Sequence, residues 1–322
     1  MAKRPNVQLA PGRQDALTRN VLEGLRKFPK ELSPVWFYDE TGSSLFDSIC
    51  ELPEYYITRT ELEIMRLHAG EMAAHIGPGA ALIEFGSGTS LKTRLLLDRL
   101  EAPAVYTPID IAREHLLDAA GVIARDYPGL RVAPVCADFT APFELPPQVA
   151  AARRRVAYFP GSTIGNFETS AARALLSRML QIVGPNGAAL IGADLRKDRA
   201  VLERAYDDDA GVTADFNRNA LRHLNRKIDA DFDLDAFEHL AVWVEDMSRI
   251  EMHLVSRADQ QVHIGDQTVA IRRGEHLHTE YCHKYTLESF AQLAASAGFT
   301  VAHVWTDTEQ KFSVQLLEPQ PS

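Results

Sequence analysis

The amino-acid sequence predicts an α/β fold, in which a doubly wound, mostly parallel sheet is joined to a second, α+β domain. In the middle of the chain, short apolar segments of strand length alternate with longer segments of helical spacing, as buried parallel strands and their crossover helices do. This alternation does not occur before residue 60 and stops near residue 196. We therefore expect one domain over residues 60–196 and 287–322, and the other over residues 1–59 and 197–286.

The predicted strands and helices follow one another along the chain. Near-continuous apolar segments predict parallel strands at residues 81–85, 104–109, 131–136, 156–161 and 188–195. Helical spacing marks residues 91–100, 112–127 and 171–184 between them. A helix over 287–299 and a hairpin over 300–308 and 311–319 complete the sheet. Residues 197–286 form an insertion between the fifth strand and the last helix of this sheet. Within the insertion we predict a helical run from Ala200 to Arg226, then alternating stretches at 248–258, 267–273 and 278–286.

Composition and charge narrow the classes of function. The chain has 322 residues, of which 46% are hydrophobic and 24% are charged, as in soluble globular proteins. The formal net charge of −10 disfavours nucleic-acid binding, and no segment resembles a signal peptide or a membrane span. The three cysteines, Cys50, Cys136 and Cys282, are odd in number, widely spaced and without a C-x-x-C pattern, which argues against a disulfide framework and a zinc ribbon. We expect a cytoplasmic monomer that binds a small molecule, and neither nucleic acid nor a membrane.

A glycine-containing loop follows the first predicted parallel strand. Glu84-Phe85-Gly86-Ser87-Gly88 leads directly into a helix, and its glycines let the backbone approach a ligand closely. A dinucleotide-binding fingerprint would have a third glycine at position 91, but Leu91 stands there. A ligand bound through a pyrophosphate is therefore disfavoured.

Acidic residues follow the next two predicted strands. Asp110 ends the second strand, where it can accept hydrogen bonds from ribose hydroxyls, and Asp138-Phe139 follows the third, as a carboxylate and a ring for adenine. Together with the glycine loop, this arrangement resembles that of S-adenosylmethionine-dependent methyltransferases. It implies S-adenosylmethionine as cofactor, S-adenosylhomocysteine as product, and Lys92 as a partner of the methionine carboxylate. In the alternative interpretation, Gly86 and Gly88 are turn residues, and Asp110 and Asp138 are helix N-caps. Phe139 then belongs to the core, and Lys92 is a solvated helix residue.

The loop after the fourth predicted strand indicates which class of methyl acceptor the chain binds. Methyltransferases that modify bases or side-chain amides commonly have an Asn-Pro-Pro-Tyr type motif there, whereas this chain has Phe159-Pro160-Gly161-Ser162-Thr163-Ile164-Gly165-Asn166. Asn166 offers two donors and an acceptor, which suits a zwitterionic amino acid. The alternative is that Asn166 is a helix N-cap.

Several longer segments resemble one methyltransferase family. Four parts of the chain are similar to the histidine Nα-methyltransferases of ergothioneine biosynthesis. They are residues 38–46, residues 52–59, the GSTIGN loop at 161–166, and the run from Tyr206-Asp207-Asp208 to residues 230–237. The resemblance extends from about residue 20 to the end of the chain. It implies that histidine is converted to its Nα-trimethyl betaine, hercynine, at the expense of three S-adenosylmethionine molecules, and that the second domain binds the substrate.

The resemblance also implies roles for individual residues. Asn166 and Tyr206 would hold the α-carboxylate and amino group of histidine, and Tyr38 and Tyr55 would lie by the amino nitrogen. Tyr38, Tyr55 and Asn166 are thus the expected catalytic residues. The cofactor would be bound by Gly86, Lys92, Asp110, Asp138, Phe139 and Gly161.

The imidazole of histidine has its own implied partners. Glu280 would accept a hydrogen bond from the ring, and Met252 would line the same pocket. Where the family commonly has serine two residues after this glutamate, the chain has Cys282, a weaker hydrogen-bond partner of similar size. This departure leaves the exact amino acid open, with tryptophan or a modified histidine as alternatives.

Two other classes of function compete with this interpretation. His276, His278, Glu280 and Cys282 would share one face of a strand, which suggests a metal site, but neighbours on one strand rarely form a tetrahedron alone. Methyl transfer from a sulfonium needs no metal, so we expect none. The second alternative is a non-catalytic module that senses S-adenosylmethionine. It is disfavoured because Asn166, Tyr206 and Glu280 are all present.

Overall fold

The computed structural model describes residues 11–87 and 91–321. Its contacts divide the chain into two compact units. The first unit comprises Met1–Tyr56 and Asp198–Tyr281, and the second comprises Ile57–Lys197 and Cys282–Ser322. Among the described residues, none of the helices has the length and apolar character needed to cross a membrane.

The helices and strands are numbered in chain order. The α-helices are α1 (Pro11–Leu25), α2 (Glu40–Glu51), α3 (Tyr56–Ile76), α4 (Leu91–Leu97), α5 (Arg113–Asp126), α6 (Pro147–Ala150), α7 (Thr169–Val183), α8 (Arg199–Tyr206), α9 (Val212–Ile228) and α10 (Leu287–Ser296). The strands are β1 (Lys30–Glu31), β2 (Ala80–Phe85), β3 (Val105–Asp110), β4 (Val135–Cys136), β5 (Arg154–Phe159), β6 (Ala188–Asp194), β7 (Phe237–Val244), β8 (Arg249–Ser256), β9 (Gln260–Ile264), β10 (Gln267–Ile271), β11 (His276–His283), β12 (Phe299–Thr306) and β13 (Phe312–Pro319). Short 3-10 helices lie at Pro34–Phe37, Thr163–Asn166, Leu234–Ala236 and Glu245–Met247.

The second unit is built on a seven-stranded sheet with the order β12-β13-β6-β5-β2-β3-β4. The strands β2 to β6 pair in parallel, whereas β13 is antiparallel to both β6 and β12. The predicted α/β fold, with a mostly parallel sheet and a terminal hairpin, is confirmed. The chain winds outward from β2 in one direction and from β5 in the other, so the strand order reverses between these two strands. Open α/β sheets bind ligands at the carboxyl ends of the strands beside such a reversal.

The core of this sheet follows from the apolar segments in the sequence. Every residue of β2 and β6 is buried, as expected for strands covered on both faces. One face packs against α7 and α10, where Leu176 and Phe290 lie in the same cluster as Phe85 and Phe159. Each fully buried side chain of this size contributes about 1.5–3 kcal/mol. Packing on this scale holds the strand ends in fixed positions.

Two predicted elements differ from the structure. The third parallel strand is limited to Val135–Cys136 instead of residues 131–136, because Pro134 has no N–H to donate to a neighbouring strand. The helical run from Ala200 to Arg226 is interrupted between α8 and α9. Asp208 accepts hydrogen bonds from the backbone N–H groups of Val212 and Thr213, and Gly211 has a φ of 73°. These features end one helix and start the next.

The strands β1, β7 and β9 of the first unit have no counterpart among the elements predicted from the sequence. A four-stranded sheet has the order β1-β11-β8-β7, and β7 pairs antiparallel with β8 over its full length. Every second residue of β7 is buried, the pattern of a sheet with one face against the core. The strand β9, also not predicted, forms a separate antiparallel ribbon with β10.

A glutamate on β2 lies entirely inside the second unit. Glu84 is 2% exposed and accepts hydrogen bonds from Thr93 at 2.7 Å and from Tyr106. Burial raises the pKa of Glu84 to about 7, although these hydrogen bonds and the Lys92 charge act to lower it. The folded protein therefore holds the Glu84 proton more tightly than the unfolded chain does.

We expect Glu84→Gln to change the pH dependence of stability. Protonated Glu84 contributes stability below about pH 4.5, and this contribution is lost as the pH rises through about 7. The variant carries no such proton, so between about pH 4.5 and 7 its free energy of unfolding should increase relative to that of the wild type by about 3 kcal/mol. Urea unfolding at several pH values measures the difference, with the exposed Glu101→Gln as control. A difference that does not vary with pH would contradict this prediction.

Candidate active site

The predicted cofactor residues lie at one edge of the second unit's sheet. Gly86 follows β2, Asp110 ends β3, and Gly161 follows β5. Asp138 follows β4 by two residues. These four strands run parallel side by side, so their carboxyl ends meet at the same edge. Gly88, the second glycine of the predicted loop, lies outside the described residues.

Gly86 has a conformation that favours glycine. Its φ is 76°, in the left-handed region that other residues seldom adopt. Its N–H donates to the carbonyl oxygen of Ile109 at 2.9 Å, which fixes the start of the loop to the end of β3. An added Cβ would lie 3.9 Å from the ring of Phe139. The backbone conformation therefore makes glycine the suitable residue here.

The aspartates after β3 and β4 each stabilise a turn. Asp110 Oδ1 accepts a hydrogen bond from the Ala112 N–H at 2.9 Å. Asp138 Oδ1 accepts from the backbone N–H and the hydroxyl of Thr140, at 2.8 and 2.6 Å. The N-cap of α5 is Ala112 and that of α6 is Pro146, so the alternative role as helix N-caps is wrong. These turns orient both carboxylates at the sheet edge.

Phe139 is half-buried beside the core. Its ring packs edge-to-face on Phe85 and Phe159, with centroid distances of 5.9 and 5.8 Å. The alternative role in core packing thus applies to part of this ring. Packing of this kind fixes the orientation of the ring next to Asp138.

Lys92 is not a solvated helix lysine. Its Nζ lies 2.5 Å from Glu61 Oε2, and its side chain is 18% exposed. Glu61, on α3, also accepts hydrogen bonds from the Gly161 N–H, at 3.0 Å for Oε1 and 2.9 Å for Oε2. One carboxylate thus joins two of the predicted cofactor residues.

Glu61 is not among the site residues predicted above, although its sequence context contains a signal. Its neighbours at spacings of four residues, Ile57 and Met65, are both buried. A charged residue in the apolar stripe of a helix is unusual, because a buried charge needs a partner. The position of Glu61 in this stripe is therefore the sequence feature that indicates a role for its carboxylate.

Asn166 ends a short 3-10 helix in the loop after β5. The N-cap of this 3-10 helix is Ser162, whose φ is 58° and whose hydroxyl accepts a hydrogen bond from the Asp194 N–H at 2.8 Å. The N-cap of α7 is Glu168, so the alternative role of Asn166 as a helix N-cap is wrong. The loop is fixed to β6 and presents Asn166 half-buried.

Cys282 lies against the same loop and beside a buried ionic cluster. A Cβ added to Gly165 would come within 3.2 Å of Cys282 Sγ, and Lys284 Nζ lies 3.3 Å from that sulfur. Asp194 binds Lys284 at 2.7 Å and Lys197 at 2.6 Å. Burial lowers the pKa of Lys197 to about 8, although the Asp194 charge raises it. The thiol of Cys282 therefore has a cationic neighbour.

The first unit brings three predicted substrate residues together. Tyr55 and Tyr206 have ring centroids 6.2 Å apart. Phe46 lies 6.3 Å from Tyr55 and 6.1 Å from Tyr38, and Phe216 lies 5.9 Å from Tyr38. We call these five rings the aromatic cluster. Tyr55 and Tyr206 are 8% and 6% exposed, whereas Tyr38 is 45% exposed.

Phe46 and Phe216 are members of this cluster that the sequence analysis did not assign to the site. Phe46 lies within the segment that carries the family resemblance, and Phe216 lies on α9, where helical spacing gives no indication of a role beyond the core. Their mutual distance of 6.0 Å shows that the cluster is continuous from α2 to α9.

The residue after Tyr38 fixes the backbone of that tyrosine. Asp39 caps α2 by accepting a hydrogen bond from the Gly42 N–H at 2.7 Å, and it also binds Asn219 at 2.8 Å and Arg226. Burial would raise the pKa of Asp39, but these hydrogen bonds and positive neighbours hold it below its usual value. The charged cap thus links the Tyr38 segment to α9.

Met252 and Glu280 lie on the neighbouring strands β8 and β11. They are 2% and 7% exposed, and the hydroxyl of Thr279 donates to the Met252 carbonyl oxygen at 3.0 Å. On the same strand as Glu280, His278 stacks on Tyr281 with a centroid distance of 5.1 Å. In the part of the chain that the structure describes, no group of three or more His, Cys, Asp or Glu residues is arranged to hold a metal ion.

Comparison with known proteins identifies the family to which this chain belongs. Residues 17–319 match the family of histidine-specific, S-adenosylmethionine-dependent methyltransferases. The histidine N-alpha-methyltransferase of Mycolicibacterium smegmatis is 43% identical over 97% of this chain and 97% of its own length. The protein of the same name from Mycobacterium tuberculosis is 42% identical over 94% of each chain.

A longer fungal protein is also similar. Ergothioneine biosynthesis protein 1 of Neurospora crassa is 30% identical over 86% of this chain, and the match covers 32% of that protein. The family match spans the parallel sheet, the glycine loop and the first unit from residue 17 onward. This chain therefore belongs to the family of histidine-specific, S-adenosylmethionine-dependent methyltransferases.

Proposed function

We propose that this protein converts L-histidine to hercynine, its Nα-trimethyl betaine, as the first step of ergothioneine biosynthesis. Three molecules of S-adenosylmethionine are consumed and three of S-adenosylhomocysteine are released. The observation that carries the proposal is 43% identity to a histidine N-alpha-methyltransferase over 97% of both chains. We further propose that the enzyme acts in the cytoplasm as a monomer.

We propose that the second unit binds the cofactor through Gly86, Lys92, Asp110, Asp138, Phe139 and Gly161. Their common position at the carboxyl edge of the parallel sheet supports this assignment. Such an edge is where α/β sheets bind nucleotide-like ligands. The predicted domain division at residues 60–196 and 287–322 corresponds to this cofactor-binding role.

We propose that the amino-acid end of histidine is bound by Tyr38, Tyr55, Tyr206 and Asn166. In the aromatic cluster, Tyr55 and Tyr206 are buried, and their rings are in edge-to-face contact. A Tyr hydroxyl both donates and accepts, so it can bind an amine or a carboxylate. Residues 1–59 and 197–286 are, on this proposal, the substrate-binding domain.

The chemistry requires positioning more than acid–base catalysis. S-adenosylmethionine supplies a methyl group on a positively charged sulfur. The α-amino nitrogen must present an unprotonated lone pair in line with the C–S bond, and holding it there makes the transfer effectively unimolecular. An α-amino group has a pKa of ~8 in peptides and a higher pKa in a free zwitterion, so the site must let the amine lose a proton to water before each transfer. The tyrosine rings attract the quaternary nitrogen of the product through cation–π interactions.

Incubation with each of the twenty amino acids tests the proposed substrate. We expect histidine to give mono-, di- and trimethylated products, with one S-adenosylhomocysteine released for each methyl group, as measured by mass spectrometry. If tryptophan or another amino acid is methylated in preference to histidine, that amino acid is the methyl acceptor instead. Cofactor binding without turnover of any amino acid would indicate a sensor instead of an enzyme.

We expect Glu280→Ala to reduce histidine recognition more than cofactor binding. A hydrogen bond to a charged group contributes about 1.5–3 kcal/mol, so KM for histidine should rise roughly 10- to 100-fold. The Kd for S-adenosylhomocysteine should stay within about twofold. Steady-state kinetics and calorimetry measure the two effects, and Glu238→Ala, an exposed glutamate on β7, is the control. An unchanged KM would rule out the imidazole role of Glu280.

Cys282→Ser tests the position where this chain departs from the family pattern. Serine is a stronger hydrogen-bond partner than cysteine, and one added neutral hydrogen bond contributes about 1 kcal/mol. We expect KM for histidine to fall roughly fivefold, with kcat little changed. Cys50→Ser, a half-buried cysteine on α2, is the matched control. A KM that rises in Cys282→Ser would show that the thiol itself is required.

A further inference from the structure

A buried carboxylate joins two residues of the proposed cofactor site. The Glu61 side chain is 1% exposed and lies 2.5 Å from Lys92 Nζ. Both oxygens of the same carboxylate accept a hydrogen bond from the Gly161 N–H, at 3.0 and 2.9 Å. Glu61 is on α3, Lys92 on α4, and Gly161 in the loop after β5. Three segments that are distant in sequence therefore meet at one side chain.

The neighbouring strand leaves room for this carboxylate. Gly192 lies in β6, where every residue is buried. A Cβ added at Gly192 would collide with Glu61 Oε1 and would come within 3.2 Å of the Gly161 nitrogen. Glycine at position 192 is thus the residue that allows Glu61 to reach the Gly161 N–H. The carboxylate occupies a site shaped by the strand beside it.

A contribution to stability alone does not account for this arrangement. Burial of two opposite charges costs several kcal/mol of desolvation, which their attraction repays only partly. Apolar residues of similar size often give equal or greater stability. The charges are retained at the sheet edge, where Lys92 and Gly161 both lie, and this points to a role in ligand binding.

We propose that Glu61 is a positioning residue for the cofactor, which holds Lys92 and Gly161 in the arrangement that binds the methionine part of S-adenosylmethionine. The inference rests on the proposed cofactor roles of Lys92 and Gly161. A lysine ammonium has three donors, so a Lys92 held by Glu61 can also bind a ligand carboxylate. The Gly161 N–H, when fixed by Glu61, sets the path of the backbone after β5.

The two charges have opposite effects on the anionic end of the cofactor. Lys92 attracts the methionine carboxylate, and Glu61 repels it while keeping Lys92 oriented. If Lys92 is replaced by methionine, Glu61 remains as a buried anion without that cation, and its repulsion is no longer offset. Removal of the Glu61 charge should then improve cofactor binding, although the same change weakens binding when Lys92 is present. This change of sign distinguishes a positioning role from a purely structural one.

Calorimetry with S-adenosylhomocysteine tests the inference on four variants of the full chain: Glu61→Gln, Lys92→Met, the double variant, and Glu63→Gln as the matched control. Glu63 is exposed on the same helix as Glu61. We expect Glu61→Gln to raise the Kd about tenfold, with KM for histidine within about twofold and the control like wild type. The double variant should bind more tightly than Lys92→Met.

The outcomes separate this inference from the proposed function. A Kd for Lys92→Met equal to that of wild type would contradict the cofactor role of Lys92. If Lys92→Met raises the Kd and Glu61→Gln leaves it unchanged, only the role of Glu61 is overturned. The same conclusion follows if the fold increase in Kd of the double variant equals the product of the fold increases of the two single variants. If Glu61→Gln does not fold, as judged by thermal unfolding, Glu61→Asp takes its place. It keeps the charge but has a side chain one methylene shorter, so its contacts with Lys92 and Gly161 are weakened and the Kd should again rise. An unchanged Kd for Glu61→Asp would overturn the role of Glu61.

Discussion

Parallel pairing of β2 with β5 on one side and β3 on the other is the constraint on which the site depends. Residues Ala81–Phe85 pair with Val105–Ile109, and Ala80–Glu84 pair with Arg154–Tyr158. A shift of one residue would turn every side chain of a strand to the opposite face, and a strand buried on both faces would have to repack completely. The register therefore fixes the points at which the chain leaves the sheet. Gly86, Asp110 and Gly161 lie at those points, so the core determines the position of the proposed cofactor residues.

Three buried carboxylates lie close to these strand ends, and each is stabilised differently. Glu84 accepts two hydroxyl hydrogen bonds, and burial raises its pKa to about 7. Asp194 is bound by two lysines, and their charges hold its pKa below the usual value against the opposing effect of burial. Glu61 binds one lysine and one backbone amide. Buried charges are a weak source of stability, so the ion pairs of Asp194 and Glu61 at this edge of the sheet agree with the proposed cofactor-binding role of that edge.

The sequence predicts those parts of the fold that repeat with a regular period. Apolar segments of strand length indicate the parallel sheet, and acidic residues at their ends indicate the cofactor side. Local features explain the errors: Pro134 shortens β4, and the Asp208 cap with Gly211 divides the helical run. The strand β7 follows an acidic segment, and its alternation became evident only from its pairing with β8. The contacts of Glu61 join residues up to 100 positions apart, a separation over which sequence patterns give no distance information.

The aromatic cluster suits an acceptor nitrogen whose charge changes during the proposed reaction. The nitrogen must be neutral to attack, yet it becomes a permanent cation after the third transfer. A carboxylate beside the amine would favour the protonated form and raise its pKa, which would reduce the reactive fraction at each round. Aromatic rings attract a cation by only about 0.5–2 kcal/mol, so they lower the reactive fraction less. They also need no hydrogen from the nitrogen, and they therefore bind the quaternary product as readily as the ammonium. On the proposed function, Tyr38, Tyr55 and Tyr206, together with the neighbouring Phe46 and Phe216, supply such a surface on the first unit.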